Sequence, residues 1–306
     1  MPNYWITGAD GFIGRHLGHL LVGQGAHVCG LGFQDGGLTG GVSYADWAGG
    51  GIDRDLLEGL AARQPQPDVI FHLAGGSSVG ASLADPFGDF RNTVGSIATV
   101  LEWMRVATPR ARLVMISSAA VYGSGHGGAI AEDAATHPYS PYGAHKLVAE
   151  MLCRSAAENF GTDFVVVRPF SIFGAGLRKQ LLWDVCTRLA AGPASLDMGG
   201  TGKELRDWLH VSDLAAILAR VAARDVAAGS ILNAGTGYAV PVRTIVGWLV
   251  EAFGMGGLTV RFSGQSRPGD PERLVADVAR LGALGIAPPA DPRAMVEAFV
   301  AWFRAL

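Results

Sequence analysis

Tyr142 and Lys146 stand four residues apart in the run Pro141-Tyr142-Gly143-Ala144-His145-Lys146, a spacing that puts both on one face of a helix. A free phenol, with a pKa of about 10, is a poor base at neutral pH. A lysine cation beside it favours the phenolate and moves it toward the range where general acid–base catalysis works. Ser118, just beyond the predicted strand Arg112 to Ile116, can hydrogen-bond the substrate oxygen whose proton the phenol takes. Taken alone, Tyr-x-x-x-Lys is more often two residues on a half-exposed helix, so the surrounding elements decide.

Those elements alternate. Residues 3–7 predict a short buried strand, and Arg15 to Gly23 a helix with Leu17, Leu20 and Leu21 on one face. Between them lie Gly8, Gly11 and Gly14 in the spacing G-x-x-G-x-x-G. Glycines let the backbone approach a pyrophosphate, and a helix N-terminus favours its charge. A second strand is predicted over His27 to Leu31. An acid at its end would hold an adenosine ribose 2′-hydroxyl, but Gly32 stands there, followed by Phe33, Gln34 and Asp35. Nor does an arginine stand there for a 2′-phosphate. NAD and NADP are both left open, with Asp35 the nearby carboxylate that could reach a ribose.

Asp68 to Gly75 predicts a buried strand ending in a small-residue turn, and Pro86 to Ala107 a long helix. That helix carries Phe90, Val94, Ile97, Leu101 and Met104 on one apolar side, which Asn92 interrupts. Strands at 112–116 and 164–168 flank the Tyr/Lys helix of 142–159. The alternation predicts an α/β fold with a parallel, doubly wound sheet. After Pro169 the texture changes. A loop over 170–176 is followed by a helix over 179–190 and an extended segment at 204–211. A helix over 212–224, capped by Ser212, a strand at 231–233, a turn at 267–270 and a helix over 292–304 complete the chain. The expected division is a dinucleotide-binding domain over 1–170, receiving segments near 205–235, and a smaller, discontinuous substrate lobe over 171–306.

Of 306 residues 49% are hydrophobic, enough for a large core. A net charge of −3 gives no electrostatic case for nucleic acid or an anionic membrane. No apolar run reaches the roughly 18 residues of a membrane span. Cys29, Cys153 and Cys186 are scattered and make no metal-ligand spacing. With no basic leader ahead of the first strand, a cytoplasmic, metal-free protein is expected.

In order along the chain, these motifs resemble the extended short-chain dehydrogenase/reductase family, in its nucleotide-sugar epimerase/dehydratase branch. They are Thr7-Gly8 to Gly14, His72-Leu73-Ala74-Gly75, Asn92-Thr93-Val94-Gly95, Ser117 to Gly123, Tyr142 to Lys146, Arg168-Pro169-Phe170, Arg206 to Val211 and Arg267-Pro268-Gly269-Asp270. The resemblance implies a Rossmann-type sheet holding NAD(P) and a C-terminal lobe holding a nucleoside-diphosphate sugar. It makes Tyr142 the catalytic base, has Lys146 bind the nicotinamide ribose and tune Tyr142, and has Ser118 orient the sugar hydroxyl. Cofactor contacts fall to Gly8, Gly11, Phe12, Ile13 and Gly14, then to Leu73, Ala74, Gly75 and Asn92. Ser117 and Pro169 join Tyr142 and Lys146 in that role. Ser77, Val79 and Ser171 fall at substrate positions beside Ser118 and Tyr142. Arg206 and Arg267 match diphosphate contacts, and Asp270 a ribose contact. Dimerisation through helices 86–107 and 142–160 is also implied.

The loop after Ser118 separates reactions within the branch. Family 4,6-dehydratases place an acid there to eliminate water, whereas this chain has Ala119 and Ala120. The resemblance therefore implies a nucleotide-sugar epimerase acting at C4 with bound NAD. The alternative is an NADPH-dependent 4-keto-6-deoxy sugar nucleotide reductase; an idle dinucleotide-binding scaffold is disfavoured by the intact Ser/Tyr/Lys set.

Overall fold

The computed structural model describes residues 2–33, 41–223, 225–265, 269–287 and 291–306. In chain order the elements begin β1 (Asn3–Thr7), α1 (Phe12–Gly23), β2 (His27–Gly32), β3 (Asp46–Gly49), α2 (Arg54–Ala61) and β4 (Val69–His72). Next come α3 (Val79–Ala84), α4 (Pro86–Phe90), a π turn (Arg91–Gly95), α5 (Ser96–Ala107), β5 (Arg112–Ile116), α6 (Pro141–Phe160) and β6 (Asp163–Pro169). They continue as β7 (Ser171–Phe173), α7 (Gln180–Ala190), β8 (Ser195–Met198), β9 (Leu205–His210), α8 (Val211–Val221) and β10 (Ser230–Ala234). The last are β11 (Ala239–Pro241), α9 (Val242–Ala252), β12 (Thr259–Phe262), β13 (Arg273–Leu274), α10 (Ala279–Ala283) and α11 (Arg293–Arg304).

The chain divides into two compact units. The first comprises residues 1–122, 135–169 and 214–232, and the second 123–134, 170–213 and 233–306.

The first unit is built on a seven-stranded sheet in the order β10-β6-β5-β4-β1-β2-β3. The pairs from β6 through to β3 are parallel. Strands buried on both faces read as continuous apolar runs, as in Val69-Ile70-Phe71, where every residue is buried. Trp5 of β1 stacks on Trp103 of α5 at 5.2 Å, in a core with Leu57, Ile70, Leu113 and Val166. Strand order reverses at β1, which lies between β2 and β4. Ligands of such sheets bind outside the carboxyl ends of the strands at that switch.

Local chemistry sets the helix ends that matter. Ser140 caps α6 by accepting from the Gly143 N–H at 3.2 Å, Pro141 fills its first turn, and Gly161 ends it at φ 71°, a left-handed conformation that glycine adopts without strain. Asp53 caps α2 through the Leu56 N–H at 2.8 Å.

In the second unit β11, β9 and β13 form one sheet, with β7 also pairing on β9. β8 and β12 form a separate parallel pair. Buried Asp207 ties its loops together, accepting from Thr236 N, Thr236 Oγ1, Gly237 N and Ala276 N.

Three expectations are corrected. Residues 171–173 are not loop but strand β7, because their backbone pairs with Trp208 to His210. Ser212 does not cap α8, which already starts at Val211; its hydroxyl pairs with His210 Nδ1 at 2.7 Å. The helix at 86–107 is not one continuous α stripe. The π turn offsets its two halves, so Phe90 is 42% exposed while Ile97 and Met104 are buried. Among the described residues no helix is long and apolar enough to cross a membrane.

Candidate active site

The Ser/Tyr/Lys set assembles in the first unit. Ser118 follows β5, caps the short turn Ala119–Val121 through the Ala120 N–H at 3.1 Å, and hydrogen-bonds Tyr142. Tyr142 reaches it because Gly143 lets α6 approach: a Cβ there would sit 2.6 Å from the Ala120 carbonyl oxygen. The Tyr142 N–H is held by Ser82 Oγ at 3.0 Å. Lys146, one turn on and 3% exposed, donates to the Ile116 carbonyl at 3.2 Å. Gly75, at φ 133°, keeps the strand end clear, since a Cβ there would lie 3.3 Å from Lys146 Nζ.

The electrostatics depart from the expectation that Lys146 draws Tyr142 down. Burial pushes the Tyr142 phenol up, Asp89 adds to the rise, and the Ser118 hydrogen bond only opposes it. Burial also brings Lys146 down to about 8, against the pull of Asp89 and Glu150. The reason is geometric. Lys146 Nζ lies 6.0 Å from the Tyr142 ring centroid, its proton is already shared with Ile116, and burial has weakened its hold on the charge.

Behind the set lies a buried network that the sequence reading missed. Arg168 holds Glu150 bidentately, Nε to Oε1 at 2.9 Å and Nη2 to Oε2 at 2.6 Å. It also donates to Tyr122 Oη at 2.9 Å. Ser117 donates to Glu150 Oε1. A signal was present: Tyr142, Lys146 and Glu150 follow one another at intervals of four on one helix. On the other side, buried Asp89 accepts from His145 Nδ1 at 2.6 Å, and no spacing pointed to that pair.

The glycine-rich turn after β1 is a cradle with no room for side chains. At Gly8, φ 67°, a Cβ would stand 2.8 Å from Ala74 N; at Gly14 it would stand 2.2 Å from the Gly8 carbonyl oxygen. Gly11 caps α1 with no side-chain hydrogen bond, and the first turn, with Phe12 and Ile13, carries no acid. The glycines thus bring the backbone close in at the sheet's switch point, which fits a dinucleotide's pyrophosphate. Leu73, Ala74 and Gly75 form the adjoining turn after β4. They are held by a relay: Thr7 Oγ1 accepts from Ala74 N at 3.3 Å and bonds His72 Nδ1 at 2.9 Å. His72 Nε2 meets Ser96 Oγ at 3.2 Å, and Ser96 donates to the Asn92 carbonyl at 2.6 Å. With Ser96 so committed, its oxygen accepts from His72 Nε2–H, which assigns the tautomer. Burial, with Lys146 adding, brings His72 down to about 3, so it stays neutral.

The other predicted residues divide between the units. Pro169 ends β6 in a buried position, while the Asn92 side chain is exposed in the π turn. Ser77 is exposed and Val79 opens α3. Ser171 lies on β7 and Arg206 on β9, both in the second unit. Arg206 pairs there with Asp270 at 2.7 Å and with the Pro271 carbonyl at 2.8 Å; these two residues, assigned to separate contacts from the sequence, meet each other. Arg267 and Asp35 lie outside the described residues.

Residues 4–235 match the family model described as NAD dependent epimerase/dehydratase family. The chain is similar to a UDP-glucose 4-epimerase of Azospirillum brasilense, 31% identical over 100% of this chain and 93% of that protein. It is similar also to a dTDP-glucose 4,6-dehydratase of Streptomyces griseus, 30% identical over 97% and 93%. Among solved structures, MoeE5 in complex with UDP-glucuronic acid and NAD superposes with a TM-score of 0.87 at 28% identity, covering 99% of each chain.

Proposed function

The chain belongs to the NAD dependent epimerase/dehydratase family, and from that premise we propose that it is a nucleotide-sugar epimerase acting at C4 with bound NAD. One observation carries the choice. Relatives of nearly equal identity include both epimerases and dehydratases, and elimination of water needs an acid beside the catalytic serine. Here Ala119 and Ala120 follow Ser118, and Ala119 is buried. The nearest carboxylates of the network, Glu150 and Asp89, are engaged by Arg168 and His145.

NAD supplies, when bound, an acceptor that takes a hydride and returns it. The residues of this chain do the rest. Gly8, Gly11 and Gly14, with Phe12 and Ile13 at the helix start, would hold its pyrophosphate. Leu73, Ala74, Gly75, Asn92, Ser117 and Pro169 are the further cofactor contacts of this reading. Lys146 would bind the nicotinamide ribose. Ser118 orients the 4-hydroxyl, and Tyr142 takes its proton and later gives it back from the same oxygen. Because burial leaves the phenol protonated in the ligand-free protein, proton acceptance waits on the charge that a bound oxidised dinucleotide adds beside it. The 4-keto sugar turns over and is reduced on its other face. Ser77, Val79, Ser171, Arg206, Arg267 and Asp270 are assigned to the nucleoside-diphosphate sugar.

Dimerisation is part of the reading. Phe87 and Phe90 of α4 and Val148 and Met151 of α6 are exposed, Met151 at 61%, and Phe90 stacks edge-on against His145 at 5.5 Å, joining the two helices. A second copy covering this apolar face is the occupant, and light scattering on wild type and Met151→Lys reads it as a dimer turned monomer. A cytoplasmic setting agrees with the free thiols of Cys29, Cys153 and Cys186.

The test is incubation with a panel of UDP- and dTDP-hexoses without added reductant, with products resolved by NMR. The expected product is the 4-epimer at unchanged mass, abolished in Tyr142→Phe. Loss of one water to a 4-keto-6-deoxy sugar, or turnover only with added NADPH, overturns the reading.

A further inference from the structure

Gly32 leaves the end of β2 without the acid that would read an adenosine ribose, and the structure shows what takes its place. A Cβ built on Gly32 would lie 2.3 Å from Asp10 Oδ1 and 2.6 Å from its Cγ. The space where a strand-end side chain would begin is filled by a carboxylate that arrives from the glycine-rich turn. It is held there. The Phe33 N–H donates to Asp10 Oδ2 at 3.1 Å, and the Ala9 N–H donates to the Leu31 carbonyl at 3.1 Å, tying the turn to β2 on both sides of that point. Tyr44 Oη donates to the Ala9 carbonyl at 3.2 Å and fits because Gly18 has no side chain, a Cβ there falling 2.3 Å from the phenol oxygen.

We propose that Asp10 is the adenosine-ribose acceptor of this chain and sets its preference for NAD over the 2′-phosphorylated dinucleotide. The proposal rests on the cofactor reading above and adds the residue that discriminates. A carboxylate offers about four lone-pair sites, so one oxygen can hold Phe33 N–H while the group still accepts a 2′-hydroxyl. The same charge repels a 2′-phosphate. Like charges a few ångströms apart at a protein surface make that preference roughly 100-fold or more. Arg15, one turn into α1, is the cation whose field, like that of Asp10, reaches Tyr44. It is the group that would favour the phosphate once the Asp10 charge is removed.

The experiment is equilibrium titration of the full chain, stripped of dinucleotide on charcoal, with NADH and with NADPH by fluorescence. Wild type is expected to favour NADH by about 100-fold. Asp10→Asn should shrink the ratio at least tenfold, chiefly by tightening NADPH, with an unchanged melting midpoint. The double variant Asp10→Gly/Gly32→Asp moves the carboxylate to the strand end and should restore the NADH preference. A ratio unchanged in Asp10→Asn overturns the proposal and leaves the cofactor reading standing, whereas a wild-type preference for NADPH overturns the proposal together with the choice of NAD. Failure of wild type to bind either dinucleotide overturns both.

Discussion

Lys146→Met should make the ligand-free protein more stable and catalytically dead. The lysine is buried and brought from 10.5 down to about 8, so its charged form is disfavoured in the fold by about 3 kcal/mol. Methionine, similar in length and without charge, removes that cost. It also removes the hydrogen bond to the Ile116 carbonyl, worth about 1 kcal/mol. The net gain at pH 7 is about 2 kcal/mol, a rise in melting midpoint of about 4 to 8 °C for a unit of this size. The sign fixes the pH window. Between about 8 and 10.5 the unfolded chain binds the proton that the folded one has released, so wild-type stability rises with pH there relative to the variant. The advantage of Lys146→Met should therefore be largest at pH 7 and vanish or reverse by about pH 10. Paired melting curves of dinucleotide-free protein across that range measure it. A variant less stable than wild type at pH 7, or a difference that does not change with pH, refutes the assignment of the shift to burial.

Glu150→Gln leaves the buried Arg168 guanidinium without its bidentate partner and should cost about 3 to 5 kcal/mol, read in urea unfolding. Gly143→Ala forces α6 away from the Ala120 carbonyl; misplacing Tyr142 by even about 1 Å should lower kcat by about 100-fold, while dinucleotide affinity measured by titration changes little. His72 is held neutral down to about 3 against an ordinary value of 6.5. The unfolded chain therefore takes up a proton first as pH falls below 6.5, and stability drops by about 2 kcal/mol by about pH 5. His72→Asn should flatten that slope in acid titrations of the melting midpoint.

The strand–glycine–helix opening, the small-residue turn after β4 and the Tyr142–Lys146 helix were legible because periodicity and spacing act locally. Strand β7 was not, since Ser171 to Phe173 has strand character only through pairing with β9, some 37 residues away by register (Ser171 with Trp208). Short β3 and helix α2 also escaped: Asp46–Gly49 is four residues long and carries two small residues in place of an apolar alternation. In the site, Ser118, Tyr142 and Lys146 could be placed from spacing, but the direction of the Tyr142 shift could not. It depends on how deeply α6 is buried and on Asp89, which comes from a different helix. Asp10 was hidden for a similar reason. Sequence order puts it in a phosphate turn, and only the fold of β1 against β2 carries its carboxylate to Gly32.

The π turn at Arg91–Gly95 works as a gear with one extra tooth. A helix without it would keep Phe90 in line with Val94, Ile97 and Leu101, turned inward. With the additional residue the first half is rotated back by roughly one α-helical step of about 100°. Asp89 then takes the inward place of Phe90, buried at 7% exposure, where it receives His145 and acts on both Tyr142 and Lys146. Phe90 is delivered to the outer face with Phe87. One inserted residue thus exchanges an aromatic for a charge beneath the catalytic helix and supplies the aromatic to the outside. Charge tuning and surface stickiness are in this way inherited together: losing a single residue from the turn would undo both at once.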